Sequence, residues 1–234
     1  MPGALEGFVA DIVALAVAED GTTARRLPPE RDLVEALGIS RGALREHLLV
    51  LERLGFLTRV QGRGTYLDTP RDDFVRSYFT ISREFGHLTD EQFAESRMML
   101  EETAAGAAAE RASAEVVAEL RGLVDHMIAA TRAGEHDAAL AADIAFHRRL
   151  QLAVENPVMH LLHEGLSHVL SETIRVRRLE AVAVEIPDAD GTLRTDSVHY
   201  PIVDAIEAGD PAAARAAMRE HFRNWQNLGL VSDH

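Results

Sequence analysis

The stretch "LGISRGALREHLLVLERLGFL", residues 37–57, carries the signals that decide the fold of the N-terminal part of the chain. Ser40 is a favoured N-cap residue and Gly55 suits the end of a helix, so a helix is predicted between them. Leucines at helical spacing fall on one side of it, whereas Arg41 and Arg45 fall on the other side, toward the N-terminus. We therefore expect a helix with one buried face and one exposed arginine face.

A shorter helix is predicted directly before this one, over "PPERDLVEAL", residues 28–37. The two prolines suit a helix start, the acids that follow favour its positive end, and Gly38 marks its end. Residues 4–17 place apolar side chains at helical spacing and predict an amphipathic helix ahead of both. A helix, a glycine-containing turn and a second helix form the helix-turn-helix arrangement, whose second helix reads DNA with side chains near its N-terminus. Arg41 and Arg45 occupy that place.

Two short strand-like runs follow, residues 56–60 and 65–68. Gly62 and Gly64 permit a tight turn between them with Arg63 at its tip. The pattern predicts a hairpin that acts as a wing and lays Arg63 along a minor groove or a phosphate. The alternative at this stage is a solvated arginine-bearing helix followed by an ordinary hairpin.

The charge of the chain is unevenly distributed. The net charge of −14 disfavours a nucleic-acid partner, because phosphate binding depends on Lys and Arg. Residues 24–67, however, contain eight Arg against five acids, whereas residues 71–234 contain sixteen Arg against 28 acids. Any contact with DNA is therefore expected in the short basic segment that precedes the acidic body.

The composition also excludes several kinds of site. Cysteine is absent, so disulfides and thiolate metal sites are excluded, and any metal must be held by His, Asp, Glu or water. No apolar run approaches the roughly 18 residues that a membrane span needs, and the acidic N-terminus is unlike a signal peptide. We expect a cytoplasmic protein with no membrane partner.

The remainder of the chain has a helical pattern almost to its end. The predicted helices cover residues 73–86, 90–112, 114–133, 136–154, 157–182, 194–208 and 211–228. Their short connections predict an antiparallel bundle of about seven helices. The expected fold class is mainly α, with a winged helix-turn-helix over 1–69, a polar linker around Pro70 and a first helix over 70–89, and a helical domain over 90–234.

Four residues of the helical part have the chemistry of a metal site. Asp143 and His147 are four residues apart and share a helix face. His199 lies near the start of the next-to-last predicted helix, and His221 lies in the last one. One carboxylate and three imidazoles on three helices can converge on a first-row divalent ion and leave coordination positions open. Ordinary polar residues of a surface or a core are the alternative for each of them.

Two other histidine groups compete with this set. His160, His163 and His168 lie along one predicted helix, where polar lining or a dimer surface is the simpler interpretation. His136 and Asp137 form an adjacent pair that is typical of HD-type metal-dependent hydrolases. No obvious nucleophile, general base or phosphate-binding glycine loop accompanies that pair, and a hydrolase leaves the basic segment unexplained.

The order of these parts resembles a known family of regulators. The segments "LPPERDL" (27–33), "LGISRGALREHLLVLERLGFL" (37–57) and "GRGTYL" (62–67) resemble the winged helix of the GntR family of bacterial transcription regulators. The helical part resembles the effector domain of the FadR subfamily in "ESRMMLEETAAGAAAERA" (95–112), "DIAFHRRLQLAVENPVM" (143–159) and "HYPIVDAIEAGDPAAARAAMREHF" (199–222). By this resemblance the residues that contact the operator are Arg31, Arg41 and Arg45, and those of the wing are Arg63 and Gly64.

The resemblance also implies a ligand set and an effector pocket. In the metal-binding members, an Asp and a His four apart, a His that opens the penultimate helix and a His in the final helix hold the ion. The matching positions are Asp143, His147, His199 and His221, and zinc, nickel or manganese is the expected ion, with zinc first. Arg97 and Asn156 match positions of the pocket, although an ion pair of Arg97 with Glu101 and a helix-end role for Asn156 need no ligand.

These observations favour a regulator rather than an enzyme. The expected protein is a homodimeric repressor that reads a palindromic double-stranded operator, because two recognition helices about one DNA turn apart match such a site. Its helical domain is expected to sense a small organic acid, a carboxylate, at a metal-containing pocket. The alternatives are an HD-type hydrolase and a DNA-binding protein with a purely structural metal.

Overall fold

The computed structural model describes residues 4–19, 24–69 and 72–229, and the chain divides into two compact units, Met1–Ser77 and Tyr78–His234. The helices of the first unit are α1 (Ala4–Leu15), α2 (Glu30–Leu37) and α3 (Arg41–Arg53). Its strands are β1 (Val17–Ala18), β2 (Arg25–Arg26), β3 (Leu57–Val60) and β4 (Gly64–Leu67). Helix α4 (Asp73–Glu84) crosses the division between the units, whereas the sequence predicted a boundary at 69–70. The predicted linker residue Pro70 lies outside the described residues.

The helix-turn-helix forms where its local signals predict it. Gly38 ends α2 in the left-handed region with φ 63°, and its N–H donates to the Val34 carbonyl. The Ser40 hydroxyl then accepts a hydrogen bond from the Ala43 N–H at 3.1 Å, which caps α3. Gly55, with φ 81°, turns the chain after α3 toward the hairpin.

The leucine face of α3 supplies the core of the first unit. Leu44, Leu48 and Leu51 are buried in a cluster with Ile12 of α1 and Leu33 of α2. Full burial of such side chains contributes roughly 1.5–3 kcal/mol each, so this cluster fixes α3 against α1 and α2. The opposite, N-terminal face of α3 is left at the surface.

A small antiparallel sheet supports the hairpin. The strand order is β1-β2-β4-β3, and β3 pairs with β4 as the sequence predicted. Strands β1 and β2 were not predicted, because two residues are too short to show an alternating pattern. β2 pairs with β4 through Arg26 and Tyr66, so the wing is anchored to the segment that precedes α2.

The second unit is a helical bundle. Its helices are α5 (Asp90–Arg111), α6 (Ala114–Arg132), α7 (His136–Leu152), α8 (Pro157–Val169), α9 (Ser171–Val184), α10 (Arg194–Ser197), α11 (Tyr200–Glu207) and α12 (Pro211–Gly229). With the winged helix-turn-helix of the first unit, this confirms the mainly α fold class. Within the described ranges no helix is both long and apolar enough to cross a membrane.

Two of the predicted helices are each divided in two. The prediction of one helix over 157–182 was wrong, because the chain breaks at Leu170, a buried residue at which α8 ends and α9 begins. The break lets α8 pack on α5 while α9 packs on α12. The helix predicted over 194–208 breaks at residues 198–199, since Pro201 has no N–H to donate and belongs in the first turn of a new helix.

The core of the bundle lies among α5, α6, α7, α11 and α12. Phe146 of α7 and Met218 of α12 are buried there, and the alanines of α5 let α12 approach closely. Gly106 of α5 lies under the Arg215 guanidinium of α12, where any side chain would collide with it. This packing brings one turn of α7, the start of α11 and the middle of α12 together.

Candidate nucleic-acid interface and metal site

The arginines predicted to contact DNA lie at the surface of the first unit. Arg41 and Arg45 are exposed on the first turns of α3, and Arg31 is exposed at the start of α2. The Arg45 Nε lies 3.0 Å from a carboxylate oxygen of Glu30, and the Arg31 Nε lies 3.2 Å from one of Asp32. Such exposed pairs contribute little, so both guanidinium groups remain available to a phosphate or a base edge.

The hairpin presents a further arginine. Arg63 is exposed at the turn between β3 and β4, and its N–H donates to the Val60 carbonyl at 3.0 Å. Gly64 has φ 130°, and a Cβ atom there would lie 2.8 Å from the Nε of Arg26. Gly64 is therefore favoured by its backbone conformation, and it lies against the guanidinium of Arg26, an exposed arginine that the sequence did not single out.

The arrangement suits a polyanion. Among the residues that the structure describes, neither Arg41 nor Arg63 forms an ion pair with a carboxylate. The N-terminus of α3 adds the positive end of a helix dipole beside Arg41. A capped helix end and a hairpin tip that both present arginine have the charge and shape to contact a DNA groove and its phosphates.

In the second unit, three imidazoles converge. His147 of α7, His199 at the N-cap of α11 and His221 of α12 each offer one ring nitrogen, and the three nitrogens lie within 4.8 Å of one another. All three residues are buried. Their ring centroids are 4.5 to 5.5 Å apart. The sequence predicted this set, and the fold brings its members together.

Asp143 completes the cluster from the same face of α7. Its Oδ1 lies 3.1 Å from His199 Nε2 and 3.9 Å from His147 Nε2. Neither Asp143 Oδ1 nor His199 Nε2 has a hydrogen-bond partner of acceptable geometry in the described part of the chain, although both are buried. Buried polar atoms normally find a partner, so these two atoms point to a group that binds between them.

In two of the imidazoles, the ring nitrogen that faces away from the cluster contacts an oxygen of a neighbouring residue. His199 Nδ1 lies 2.9 Å from the Asp196 backbone carbonyl, which fixes Nδ1–H as a donor and leaves the Nε2 lone pair facing the cluster. His147 Nδ1 makes a close contact with the buried carboxylate of Glu101. A carboxylate or carbonyl behind the ring is the usual support of a metal-binding histidine.

The ionisation states also suit a cation. Burial lowers the pKa of His147, and burial together with His199 and His147 lowers the pKa of His221 well below its ordinary range. Burial opposes ionisation of Asp143, but the neighbouring His199 and His147 outweigh it and lower the pKa of that carboxyl. The lowered pKa values of His147, His221 and Asp143 favour uncharged rings and an ionised carboxylate. Imidazole and carboxylate are donors that zinc, nickel and manganese accept, so the residues fit a divalent metal.

A cavity adjoins the cluster, and Asp143, His147 and His221 all line it. Arg97 of α5 lines the same cavity, with its guanidinium carbon 5.6 Å from the ring centroid of Phe222. The donors therefore face a space that a ligand can enter.

Glu101 is the residue of this site that the sequence did not assign. It was considered only as a surface partner of Arg97, whose Nε does lie 2.6 Å from Glu101 Oε1, but the pair is buried. Glu101 also contacts His147, and its Oε1 lies 3.6 Å from His163 Nε2. Burial would raise the pKa of Glu101, but Arg97 and His147 outweigh it and hold that pKa well below its ordinary range.

Asn156 lies apart from the cavity. Its side-chain oxygen accepts hydrogen bonds from the backbone N–H groups of Val158 and Met159, at 3.0 and 3.3 Å, and thereby caps α8. The expected effector contact of Asn156 has no support in this geometry, because its side chain is exposed and is used by the cap.

The competing histidine groups do not assemble a second cluster in the described residues. His163 is buried beside Glu101, and His168 is exposed. His136 and Asp137 are exposed in the first turn of α7, about 10 Å along that helix from the buried donors. The expected alternative of an HD-type site therefore gains no support from the fold.

Comparisons with known proteins identify the two parts of the chain. Residues 92–224 match the model of the FCD domain, and residues 17–67 match that of the bacterial regulatory proteins of the gntR family. The chain is 30% identical to an Escherichia coli protein named "Putative L-lactate dehydrogenase operon regulatory protein", over 95% of this chain and 85% of that protein. It is 28% identical to the HTH-type transcriptional regulator LutR of Bacillus subtilis, over 87% of this chain and 90% of that protein.

The fold has a solved counterpart. A GntR structure from Streptococcus agalactiae aligns with a TM-score of 0.59 at 24% sequence identity, over 94% of this chain and 95% of that one. At this identity the likeness supports the architecture, with a winged helix-turn-helix followed by a helical domain.

Proposed function

The chain belongs to the gntR family of bacterial regulatory proteins, with an FCD domain after its DNA-binding domain, and we propose that it is a metal-dependent, carboxylate-responsive repressor. Its relatives are HTH-type transcriptional regulators, so it is a DNA-binding regulator and not an enzyme.

Asp143, His147, His199 and His221 would hold a divalent metal ion, zinc first. The buried Asp143 Oδ1 and His199 Nε2, which lie 3.1 Å apart without a hydrogen bond of acceptable geometry, support this assignment. When bound, such an ion supplies an electrophilic position that accepts a carboxylate or hydroxyl oxygen. His199 and His147 are oriented toward that position by Asp196 and Glu101.

The observation that carries the sensing role is a shared cavity. Three of the four proposed ligands and Arg97 line one space, so a carboxylate there can meet the metal position and a guanidinium together. A purely structural metal needs no such opening, because structural sites are usually closed by protein ligands. A small carboxylate is therefore the proposed effector.

The proposed DNA complex contains two copies of the chain. A palindromic operator presents two half-sites about one helical turn apart, and each half-site takes one α3 helix with its wing. Arg31, Arg41, Arg45 and Arg63 supply the contacts of each half-site. An effector lowers operator affinity only if it binds the free protein and the DNA-bound protein with different affinities.

The test is a titration of operator DNA, obtained by in vitro selection, with zinc-loaded protein at one fixed salt concentration. We expect a small carboxylate, with L-lactate and L-malate in the panel, to weaken operator binding by roughly 5–150-fold, the usual range of allosteric coupling. Arg97→Gln should abolish this response, because it removes the guanidinium from the cavity.

Arg219→Gln is the matched control. Arg219 lies on α12, as His221 does, but its guanidinium pairs with Glu102 outside the cavity, at 2.6 Å. This variant should respond as the unmodified protein does. An operator affinity that no carboxylate changes, in protein that retains its zinc, would instead favour the structural role for the metal.

A further inference from the structure

The cavity has two arginines, and they differ in what surrounds them. Arg97 lies at the inner end beside Asp143 and His147, and it is already paired with the buried carboxylate of Glu101. Arg177 of α9 lines the same cavity but is exposed. The inner and outer parts of the lining therefore each offer a guanidinium.

Arg177 stands out among the arginines of α9. Arg175 pairs with Glu172 at 2.6 Å, and Arg178 pairs with the buried Asp196, also at 2.6 Å. No carboxylate of the described chain lies within ion-pair distance of Arg177. An arginine without an ion pair, on the wall of a ligand cavity, is suited to a negatively charged group of the ligand.

Glu91 is influenced by Arg177 but does not form an ion pair with it. The pKa of Glu91 is lowered first by the Thr89 hydroxyl and only weakly by Arg177. Glu91 is exposed, so water and salt screen its charge. The Thr173 hydroxyl, on the same wall as Arg177, donates to Asp90 at 3.2 Å and keeps its lone pairs for a ligand hydroxyl.

The summed charge of the groups around the cavity also favours a negatively charged ligand. Of the acidic and arginine side chains that line the cavity, Arg97 and Arg177 are positive and Asp143 is negative. The buried Glu101, which pairs with Arg97 behind the lining, brings the sum of these charges to zero. A divalent ion held by Asp143 and the three imidazoles adds two positive charges. A monoanion leaves one of them uncompensated, whereas a dianion balances both.

We propose that the effector is a small dicarboxylate, with one carboxylate at the inner end beside Arg97 and the proposed metal and the second paired with Arg177. This inference rests on the proposed function, because it assumes a carboxylate effector in this cavity. It makes Arg177 a specificity-determining residue, which selects diacids over monoacids of the same backbone. The apolar side chains Leu170, Ile174 and Phe222 enclose the carbon chain between the two charges.

Calorimetric titration of the zinc-loaded protein with L-lactate and L-malate tests the inference. The two acids share a 2-hydroxy acid group, and L-malate carries a second carboxylate where L-lactate has a methyl hydrogen. We expect L-malate to bind at least about tenfold more tightly, the gain of one good charge-assisted hydrogen bond or pair. Arg177→Gln should remove about tenfold from the affinity for L-malate and leave that for L-lactate within about twofold.

Arg175→Gln is the control, since Arg175 is exposed on the same helix and pairs with Glu172 outside the cavity lining. It should not change either affinity. If L-lactate binds as tightly as L-malate, or if Arg177→Gln weakens both acids equally, the diacid inference is overturned while the carboxylate effector stands. If neither acid binds to protein that holds its zinc, the inference and the proposed carboxylate effector fail together.

Discussion

Glu101 connects the two parts of the proposed sensor at the scale of a single residue. It is fully buried, it pairs with Arg97 at the cavity, and it contacts the ring of His147 from behind. A carboxylate in that position holds the imidazole in one orientation and one tautomer. The same carboxylate thus fixes one proposed metal ligand and one proposed effector contact.

We predict that Glu101→Gln lowers the affinity for zinc by roughly 10–100-fold, the usual effect of losing a partner behind a metal-binding histidine. The amide keeps the shape of the side chain but leaves Arg97 without its counter-charge, so the free energy of unfolding should also fall, by about 3 kcal/mol. Competition with a chromophoric zinc chelator measures the affinity, and circular dichroism at the same temperature verifies that the variant is folded.

Glu102→Gln provides the matched control, because Glu102 is the next residue of α5 and pairs with Arg219 rather than with His147. Its zinc affinity should equal that of the unmodified protein. Equal affinities of the Glu101 and Glu102 variants would mean that Glu101 does not support the site.

The sequence predicted the proposed metal ligands but not this supporting residue. The four-residue spacing of Asp143 and His147, with two further histidines, is visible in the sequence, whereas the contact of Glu101 with His147 depends on how α5 packs on α7. The two interpretations of Arg97 were an ion pair with Glu101 and a place in the pocket. The structure shows the ion pair, which is buried rather than at the surface, and it shows Arg97 in the wall of the cavity. The contact of Arg97 with an effector stays a prediction.

At the scale of an element, the stability of α3 depends on the N-cap residue at its start. The Ser40 hydroxyl caps the helix end that presents Arg41 and Arg45. We predict that Ser40→Ala destabilises α3 by about 1 kcal/mol. Hydrogen exchange of the peptide that covers residues 41–53 should show a loss of protection, whereas Ser40→Asn, which retains a capping oxygen, should not.

Protection that is the same in both Ser40 variants would contradict the capping role. A second comparison is available at Ser113, which caps α6 through the Val116 N–H in the other unit. Ser113→Ala should reduce protection in α6 and leave α3 unchanged.

The elements that the sequence predicted are those with strong local signals. Caps, glycines and apolar periodicity located α2, α3 and the hairpin, and they gave most helix bounds within a few residues. Pro201 signals the break before α11, but the break at Leu170 has no proline or glycine, and it depends on how α8 and α9 pack on different neighbours. Strands β1 and β2 form through pairing with the wing, which no two-residue pattern can indicate.

At the scale of the whole molecule, charge separates the DNA-binding segment from an acidic body. The net charge is −14, yet residues 24–67 carry more arginines than acids. An acidic body disfavours nonspecific contact with DNA, and we expect it to limit binding to the exposed arginines of α2, α3 and the wing.

We predict that the double variant Arg41→Gln, Arg45→Gln reduces the slope of log affinity against log salt concentration by about 2, because each lost phosphate contact removes roughly 0.9. The measurement is operator binding by fluorescence anisotropy over a series of salt concentrations. Arg194→Gln with Arg223→Gln, two exposed arginines of the second unit, is the charge-matched control and should leave the slope unchanged. Equal slopes for both double variants would mean that Arg41 and Arg45 of α3 do not contact the phosphates of the operator.

The central claim is that Asp143, His147, His199 and His221 hold a divalent metal ion, and the zinc content of the purified protein tests it most directly. Elemental analysis after zinc loading and dialysis should give about one zinc per folded chain. His199→Ala and His221→Ala should each lose most of it, whereas His168→Ala, which removes an exposed histidine outside the cluster, should retain it. Full zinc occupancy in the His199 and His221 variants, or none in the unmodified protein, would contradict the account.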